Sequence, residues 1–249
     1  MRATLFVTCL VDLIDPEIGV ASVKVLRAAG CEVTCPLGQT CCGQPAWNSG
    51  FADEAAAVAS TSLDALEADG ADAVVVPAGS CASMIKVFWP ELFETVGDHD
   101  AADRARRLGA RTHEFSSFVA QQPLPRLQAP KPISVAYHHS CHMRRELRIE
   151  REPEMLLDSV EGIERRAFAG DERCCGFGGL FSVKLPETSV TMADDKLAAL
   201  AIAGADVVCG SDGSGLMHLR TRAAHEGRPI VTRHLAQILA EALTKDGPR

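Results

Sequence analysis

The chain has 249 residues, of which 47% are hydrophobic and 23% are charged, and its formal net charge is −8. This composition is typical of a folded, soluble protein, and the acidic balance argues against a nucleic-acid partner. No stretch approaches the roughly 20 apolar residues that a membrane span needs. The ten cysteines therefore need an explanation, because a chain of this length can bury a core without disulfides.

The first predicted element is an apolar strand over residues 4–9. Asp12 and Asp15 follow it, and no small-residue cleavage site is present, so the segment does not resemble a signal peptide. We therefore expect a cytoplasmic protein. In that compartment thiols stay reduced, and clustered cysteines more often bind metal or take part in catalysis than form disulfides.

The next elements alternate between helix and strand. Asp15 is a favoured N-cap residue, Pro16 suits the first helical position, and apolar residues recur at helical spacing until Gly30. A second strand and a cysteine pair follow. A helix over 52–68 and a strand over 72–77 come next.

The same order of elements recurs in the second half of the chain. Cys41-Cys42-Gly43 reappears 133 positions later as Cys174-Cys175-Gly176, and the lone Cys9 reappears 132 positions later as Cys141. Such matching offsets indicate an internal duplication. Alternating strands and helices predict an α/β fold, in which a Rossmann-like unit with mainly parallel sheets is present twice and related by pseudo-twofold symmetry.

Two repeats and a linker account for the whole chain. We predict a first repeat over 1–120 and a second over 133–249, which closes with a helix over 234–243. The segment 121–132 contains four prolines and little periodicity, as is typical of a linker.

The cysteines of the first repeat are predicted to share one site. Adjacent Cα atoms lie about 3.8 Å apart, too close for an ordinary disulfide, but adjacent thiolates can serve one metal centre. Cys9, Cys41, Cys42 and Cys81 all follow strands, and the carboxyl ends of parallel strands share one edge of a sheet. Four thiolates suit an iron–sulfur cluster or zinc. The alternative is that these cysteines are small buried hydrophobes, which is the interpretation that we favour for Cys31 and Cys35.

The second repeat offers a less complete site. Cys141, Cys174 and Cys175 are present, but the position that matches Cys81 is Gly215. Cys209 or Asp212 could substitute as the fourth ligand. Otherwise the site is a three-cysteine centre, a zinc site or empty.

Three histidines flank Cys141: His138, His139 and His142. His138 and His142 are candidate proton donors or an extra ligand, because histidine titrates nearest neutral pH. A polar loop whose imidazoles cap backbone groups is the equally weighted alternative. The sequence contains neither a dinucleotide-binding glycine fingerprint nor a nucleophile elbow.

Several of these motifs resemble the cysteine-rich CCG family of iron–sulfur oxidoreductases, and its lactate-utilisation branch most of all. More distant relatives are the glycolate oxidase iron–sulfur subunit and the heterodisulfide reductase B subunit. The resemblance runs over nearly the whole chain. The segments that carry it are 6–12, 39–46, 48–50, 77–81, 137–142 and 174–184.

The resemblance implies an iron–sulfur electron-transfer subunit of a three-protein system that oxidises L-lactate to pyruvate. Its partners would be a ferredoxin-like iron–sulfur protein and a third small subunit, and the first site would hold a 4Fe–4S cluster. Heterodisulfide-type members end each repeat with Cys-x-x-Cys, whereas this chain has Ala78 and Cys81, then Asp212 and Gly215. That departure weakens one alternative, a thiol–disulfide reductase subunit. The other alternative is a zinc-bound scaffold of an oxidoreductase complex.

Overall fold

Two four-stranded sheets, each entirely parallel, form the frame of the protein. The computed structural model describes residues 1–243, so positions 244–249 of the predicted second repeat lie outside the described residues. The strands are β1 (Arg2–Leu5), β2 (Glu32–Thr34), β3 (Ala73–Val76), β4 (Thr112–Glu114), β5 (Leu127–His138), β6 (Val160–Arg165), β7 (Val207–Gly210) and β8 (Thr232–His234). The strand order is β2-β1-β3-β4 in one sheet and β6-β5-β7-β8 in the other. This identical topology confirms the predicted duplication of a Rossmann-like unit.

Helices flank both sheets. The first half contains α1 (Cys9–Ile14), α2 (Pro16–Ala28), α3 (Gln44–Trp47), α4 (Ala52–Asp69), α5 (Gly79–Ser83), α6 (Trp89–Thr95), α7 (His99–Ala110) and α8 (Phe115–Val119), with a π-helical turn, Met84–Phe88, between α5 and α6. The second half contains α9 (Cys141–Arg145), α10 (Glu152–Asp158), α11 (Phe181–Lys184), α12 (Pro186–Ala203), α13 (Gly213–His225) and α14 (Leu235–Ala242). Within residues 1–243, none of these helices has the length and apolar character to cross a membrane.

The long helices begin and end where the sequence predicts. Helix α2 starts at Pro16, although the side chain of Asp15 makes no capping hydrogen bond. Helices α4 and α12 are followed by Gly70 and Gly204, whose φ angles of 63° and 61° are left-handed. Glycine adopts this conformation without the steric cost that a Cβ atom brings.

The lone cysteines lie differently from the prediction that they end strands. Strand β1 ends at Leu5 and β5 at His138, and Cys9 and Cys141 instead begin the short helices α1 and α9. In the first repeat Thr8 caps the new helix by accepting a hydrogen bond from the Val11 N–H at 3.3 Å. The thiols of Cys9 and Cys141 therefore each lie one short loop beyond the carboxyl end of a strand.

Strand β5 begins at Leu127, inside the segment predicted as a linker. Its pairing with β6 is irregular between Gln128 and Ile133, and Pro130 and Pro132 lie in this stretch. Proline is tolerated where the ladder is broken, because no backbone N–H is needed there. The four prolines thus mark a bulged strand entrance as well as a connection.

The two repeats share a core and meet about a pseudo-twofold axis. One hydrophobic cluster takes residues from both sheets, among them Val75 of β3 and Cys209 of β7. Ala78 and Asp212, which occupy equivalent positions 134 residues apart, pair with each other as an antiparallel bridge. Self-pairing of equivalent positions is what a twofold relation requires, and it brings the two cysteine-bearing edges together.

Candidate metal centre

One cavity of about 230 Å³ collects the predicted site cysteines of both repeats. The cysteines that line it are Cys9, Cys41, Cys42, Cys81, Cys141, Cys174 and Cys175. The other three cysteines of the chain do not line it. Cys31 is buried in the core as predicted, whereas Cys35 is exposed, so its interpretation as a buried hydrophobe is wrong.

The first thiol set consists of Cys9, Cys41, Cys42 and Cys81. The Sγ atoms of Cys9 and Cys41 are 3.6 Å apart, and those of Cys42 and Cys81 are 3.3 Å apart. These separations exceed the disulfide bond length of about 2.05 Å, and all ten cysteines are free. Four sulfur donors that line one cavity match the ligand number of an iron–sulfur cluster.

One sulfur in each set is favoured as a thiolate. Hydrogen bonding from the neighbouring Cys42 and Cys9 thiols lowers the pKa of Cys41 far below its ordinary value, and the same contacts raise the pKa of Cys9 and Cys42. The Cys141 and Cys175 thiols lower the pKa of Cys174 in the same way, while their own pKa values rise. Metal ligation requires deprotonated sulfur, so Cys41 and Cys174 are the sulfurs that each set ionises most readily.

A glycine follows each cysteine pair for two physical reasons. Gly43 and Gly176 have φ angles of 82° and 87°, in the left-handed region. A Cβ atom on Gly43 would lie 2.9 Å from the Ala55 carbonyl oxygen, and one on Gly176 would lie 2.5 Å from that of Ser189. Each glycine also directs its N–H at the sulfur of the first cysteine of its pair, at 3.5 Å and 3.4 Å.

The first cysteine turn is anchored from the helices beneath it. The indole N–H of Trp89, which is fully buried, donates to the Cys42 carbonyl oxygen at 2.8 Å. The Gln44 amide donates to the Ser80 carbonyl oxygen at 3.1 Å and so joins the turn to the loop that carries Cys81. The π-helical turn that precedes Trp89 is of a kind that often occurs at functional sites.

The second thiol set lacks a fourth sulfur within the cavity. Gly215 is the third residue of α13, just as Cys81 is the third residue of α5. The side chain of Cys209 lies in the central core instead of the cavity. Asp212 does line the cavity, and its Oδ2 accepts a hydrogen bond from the Ser80 backbone N–H at 3.0 Å.

The three histidines differ in position. His138 and His142 line the cavity, whereas His139 does not. Burial lowers the pKa of His138 to about 3, so its imidazole is neutral. Its Nδ1 is buried without a hydrogen-bond partner among residues 1–243. The Nε2 atom of His139 lies 3.4 Å from Glu154 Oε1.

The cavity also contains an arginine that the sequence pattern did not reveal. Arg220 lines it, and within the described residues this side chain forms no ion pair. Gly213, Met217 and Arg220 all line the cavity, and their spacing places them on one face of α13. The helical spacing of Arg220 from Gly213 is the sequence signal that could have identified this arginine. A free guanidinium in a cavity can bind a carboxylate in a bidentate manner.

The sequence matches a family profile twice. The profile of the CCG cysteine-rich domain covers residues 3–86 and 135–220, which correspond to the two structural repeats.

Curated relatives match over almost the full chain. Lactate utilization protein A of Exiguobacterium sp. is 41% identical over 97% of this chain and 98% of its own length. The protein of the same name from Geobacillus kaustophilus is 41% identical over 96% of this chain and 98% of its own. Lactate utilization protein A 1 of Bacillus anthracis is 38% identical over 98% and 100%.

A solved structure shares the fold at low sequence identity. A hypothetical protein from Helicobacter pylori superimposes with a TM-score of 0.68 at 12% identity. The match covers 98% of this chain and 49% of the other chain, so this chain spans about half of that protein.

Proposed function

Because this chain belongs to the CCG cysteine-rich domain family, we propose that it is an iron–sulfur electron-transfer subunit of a cytoplasmic complex that oxidises L-lactate to pyruvate. Near-full-length relatives called lactate utilization protein A support the role in lactate use. The observation that carries the iron–sulfur part is the convergence of four thiols, from Cys9, Cys41, Cys42 and Cys81, on one cavity.

The chemistry requires an electron carrier. Conversion of L-lactate to pyruvate breaks one C–H and one O–H bond and releases two electrons and two protons. A cluster held by Cys9, Cys41, Cys42 and Cys81 would supply one-electron transfer when bound. The N–H groups that point at the sulfurs, such as that of Gly43, stabilise negative charge there and tune the potential.

The cavity also offers groups for a small 2-hydroxy acid. Arg220 is placed to bind its carboxylate, and His142 lines the same cavity as a proton acceptor. Val11, Ile18 and Leu216 provide apolar lining, which limits water around the thiols. We assign substrate binding to Arg220 and proton transfer to His142 within this proposal.

We propose that the electrons leave through protein partners. A ferredoxin-like iron–sulfur subunit and a third subunit complete the complex. Free thiols suit the reducing cytoplasm.

Reconstitution of lactate oxidation tests the proposal. The assembled three-subunit complex is supplied with L-lactate and a dye that accepts electrons, with either the wild-type chain or a Cys42→Ser variant. We expect the variant to lose dye reduction, and a Cys35→Ser control to keep it, because Cys35 does not line the cavity. Unchanged activity of the Cys42→Ser complex would exclude a cluster at this site as the electron path.

The alternative function is a zinc-bound scaffold of an oxidoreductase complex. Zn–S bonds of about 2.3 Å in a tetrahedral site place all four sulfurs about 3.8 Å from one another. In the first set only the Cys9–Cys41 and Cys42–Cys81 separations, 3.6 Å and 3.3 Å, come near that value, and among residues 1–243 the cysteines do not form a group of three or more donors within 4.8 Å of one another. Zinc has no redox chemistry, so visible absorbance and metal analysis separate the two functions.

A further inference from the structure

The second thiol set lacks a donor at Gly215, the position equivalent to Cys81, and we call this position the gap. Helices α5 and α13 start at equivalent positions, and the third residue of each is Cys81 in one repeat and Gly215 in the other. A Cβ atom built on Gly215 would lie 3.3 Å from the Sγ atom of Cys175. A side chain at position 215 would therefore enter the second site, as Cys81 enters the first.

The imidazole of His138 reaches this gap from the neighbouring strand. The same Cβ position on Gly215 would lie 3.5 Å from His138 Nε2. Cys175 Sγ and His138 Nε2 thus approach one point from two sides. His138 is only 5% exposed, and its other ring nitrogen has no hydrogen-bond partner among residues 1–243.

The strand register shows what His138 replaces. Leu5 pairs with Val75 in the first sheet, and Tyr137 pairs with Cys209 in the second. The next residue in the chain is Phe6, directly after the end of β1, in one repeat and His138, the last residue of β5, in the other. Phe6 packs in one hydrophobic cluster with Cys42 and Cys81.

Two matched positions have therefore changed together between the repeats. At the strand end the first repeat has phenylalanine and the second has histidine, whereas on the helix the first has cysteine and the second has glycine. A donor atom lost from the helix is matched by a donor atom gained on the strand. Three cysteines and one histidine form an established ligand set for zinc, and histidine also replaces cysteine in some iron–sulfur centres.

The other candidate fourth ligands are less available. Cys209 is fully buried in the central core, away from the cavity. Asp212 Oδ2 accepts from the Ser80 N–H at 3.0 Å, and its Oδ1 accepts from the Ser214 hydroxyl at 2.6 Å. Both carboxylate oxygens are thus engaged, Oδ2 with the other repeat and Oδ1 within the second repeat.

We propose that His138, through Nε2, is the fourth protein ligand of a metal centre in the second repeat, together with Cys141, Cys174 and Cys175. The proposal rests on the proposed metal-binding function of the cavity. An imidazole is neutral where a thiolate is anionic, and such replacement raises the reduction potential of an iron–sulfur centre. With clusters in both repeats, electrons would pass from the all-cysteine centre to the centre that contains histidine.

Metal content and nitrogen coupling test this ligand set. The full-length Cys42→Ser variant disables the first centre, so that the second is measured alone after reconstitution with iron and sulfide. Iron and zinc are counted per chain, and pulsed electron paramagnetic resonance with ¹⁵N-histidine labelling detects a coordinated imidazole. We expect His138→Phe, which installs the residue of the first repeat, to weaken metal retention about tenfold or more and to abolish the nitrogen coupling.

A rescue experiment keeps the test independent of misfolding. Adding Gly215→Cys to His138→Phe recreates the Phe6 and Cys81 pair of the first repeat, so it should restore the metal without the nitrogen coupling. His113→Gln is the control, because His113 is a half-buried histidine that does not line the cavity. It should change neither quantity.

Two outcomes would overturn the proposal: a Cys42→Ser protein that binds no metal, or one whose metal and nitrogen coupling survive His138→Phe. The metal content of a Cys174→Ser protein, in which only the first centre can form, tells failure of this ligand proposal from failure of the proposed function. Metal present there and absent from Cys42→Ser would leave the proposed function standing without the second centre.

Discussion

The Asp212 carboxylate accepts a hydrogen bond at 3.0 Å from the backbone N–H of Ser80, which lies in the other repeat. Ser80 directly precedes Cys81, so a side chain of the second repeat positions a predicted ligand of the first. The bridge between Ala78 and Asp212 holds the same two loops together. The geometry of the first thiol set therefore depends on the contact between the repeats.

Asp212→Ala should loosen the first centre. The change leaves the Ser80 N–H without its acceptor, at a cost of about 1–3 kcal/mol in the free energy of unfolding. We expect faster loss of iron to a chelator from the Cys174→Ser protein, in which only the first centre remains. Asp212→Asn keeps an acceptor oxygen and should have a smaller effect.

Asp206→Ala is the matched control for that change. Asp206 accepts from the Ser134 backbone N–H at 2.8 Å but does not line the cavity. It should leave chelator resistance at the wild-type level. Equal iron loss in the Asp212 and Asp206 variants would show that the Ser80 contact does not position the site.

Trp89→Phe should weaken the first cysteine turn. The variant keeps most of the buried ring but removes the N–H that donates to the Cys42 carbonyl oxygen at 2.8 Å. A buried acceptor left unpaired costs about 1–3 kcal/mol, which urea unfolding would measure. Trp47→Phe serves as the control, since no hydrogen bond of its indole is recorded within residues 1–243. A loss no larger than that of the control would contradict the anchoring role.

Gly43→Ala should destabilise the protein through strain and close contact together. The φ angle of 82° carries a cost of roughly 1–2 kcal/mol for alanine, and the new methyl group would lie 2.9 Å from the Ala55 carbonyl oxygen. Gly50→Ala isolates the strain, because Gly50 has a φ of 83° but no atom within 4 Å of its Cβ position. We expect Gly43→Ala to lose more unfolding free energy than Gly50→Ala and also to lose iron. Equal losses would mean that the Ala55 contact is relieved at little cost.

The sequence predicts those features of the fold and site that depend on residues close together in the chain, and it misses those that depend on residues far apart. The offsets between Cys41 and Cys174 and between Cys9 and Cys141 predicted the duplication, and Pro16 marked the start of α2. These signals are local, or they are repeated along the chain. Helices as short as α1 and α9 show no periodicity, so the start of a helix at Cys9 was not predictable.

The remaining differences arise from packing between elements. The approach of His138 to the gap at Gly215 follows from the register of β5 against β7, which no short pattern encodes. The bond between Asp212 and Ser80 joins residues 132 positions apart. Cys209 pairs opposite Tyr137 in the sheet, and its side chain faces the central core.

Glu114 should make stability depend on pH away from the cavity. Burial raises the pKa of its carboxyl from 4.5 to about 7, although the Ser116 and Ser117 N–H groups donate to it. Because the folded protein holds this proton more tightly than the unfolded chain, the stabilisation is complete below pH 4.5 and is lost as the pH rises to about 7. The shift corresponds to roughly 3 kcal/mol.

Glu114→Gln removes this titration and keeps an acceptor oxygen for the cap of α8. The difference in unfolding free energy between variant and wild type should therefore change by roughly 3 kcal/mol in favour of the variant between pH 4.5 and 7.5. Urea unfolding at a series of pH values measures that difference. A difference that stays constant across this range would show that Glu114 is ionised throughout.

The cluster proposed for the first repeat is tested by visible absorbance and iron analysis of the anaerobically reconstituted Cys174→Ser protein, with and without Cys42→Ser. We expect a brown protein that dithionite bleaches, with about four iron atoms per chain, and loss of both colour and iron when Cys42 is replaced. A colourless protein that holds zinc, or iron that survives Cys42→Ser, would contradict it.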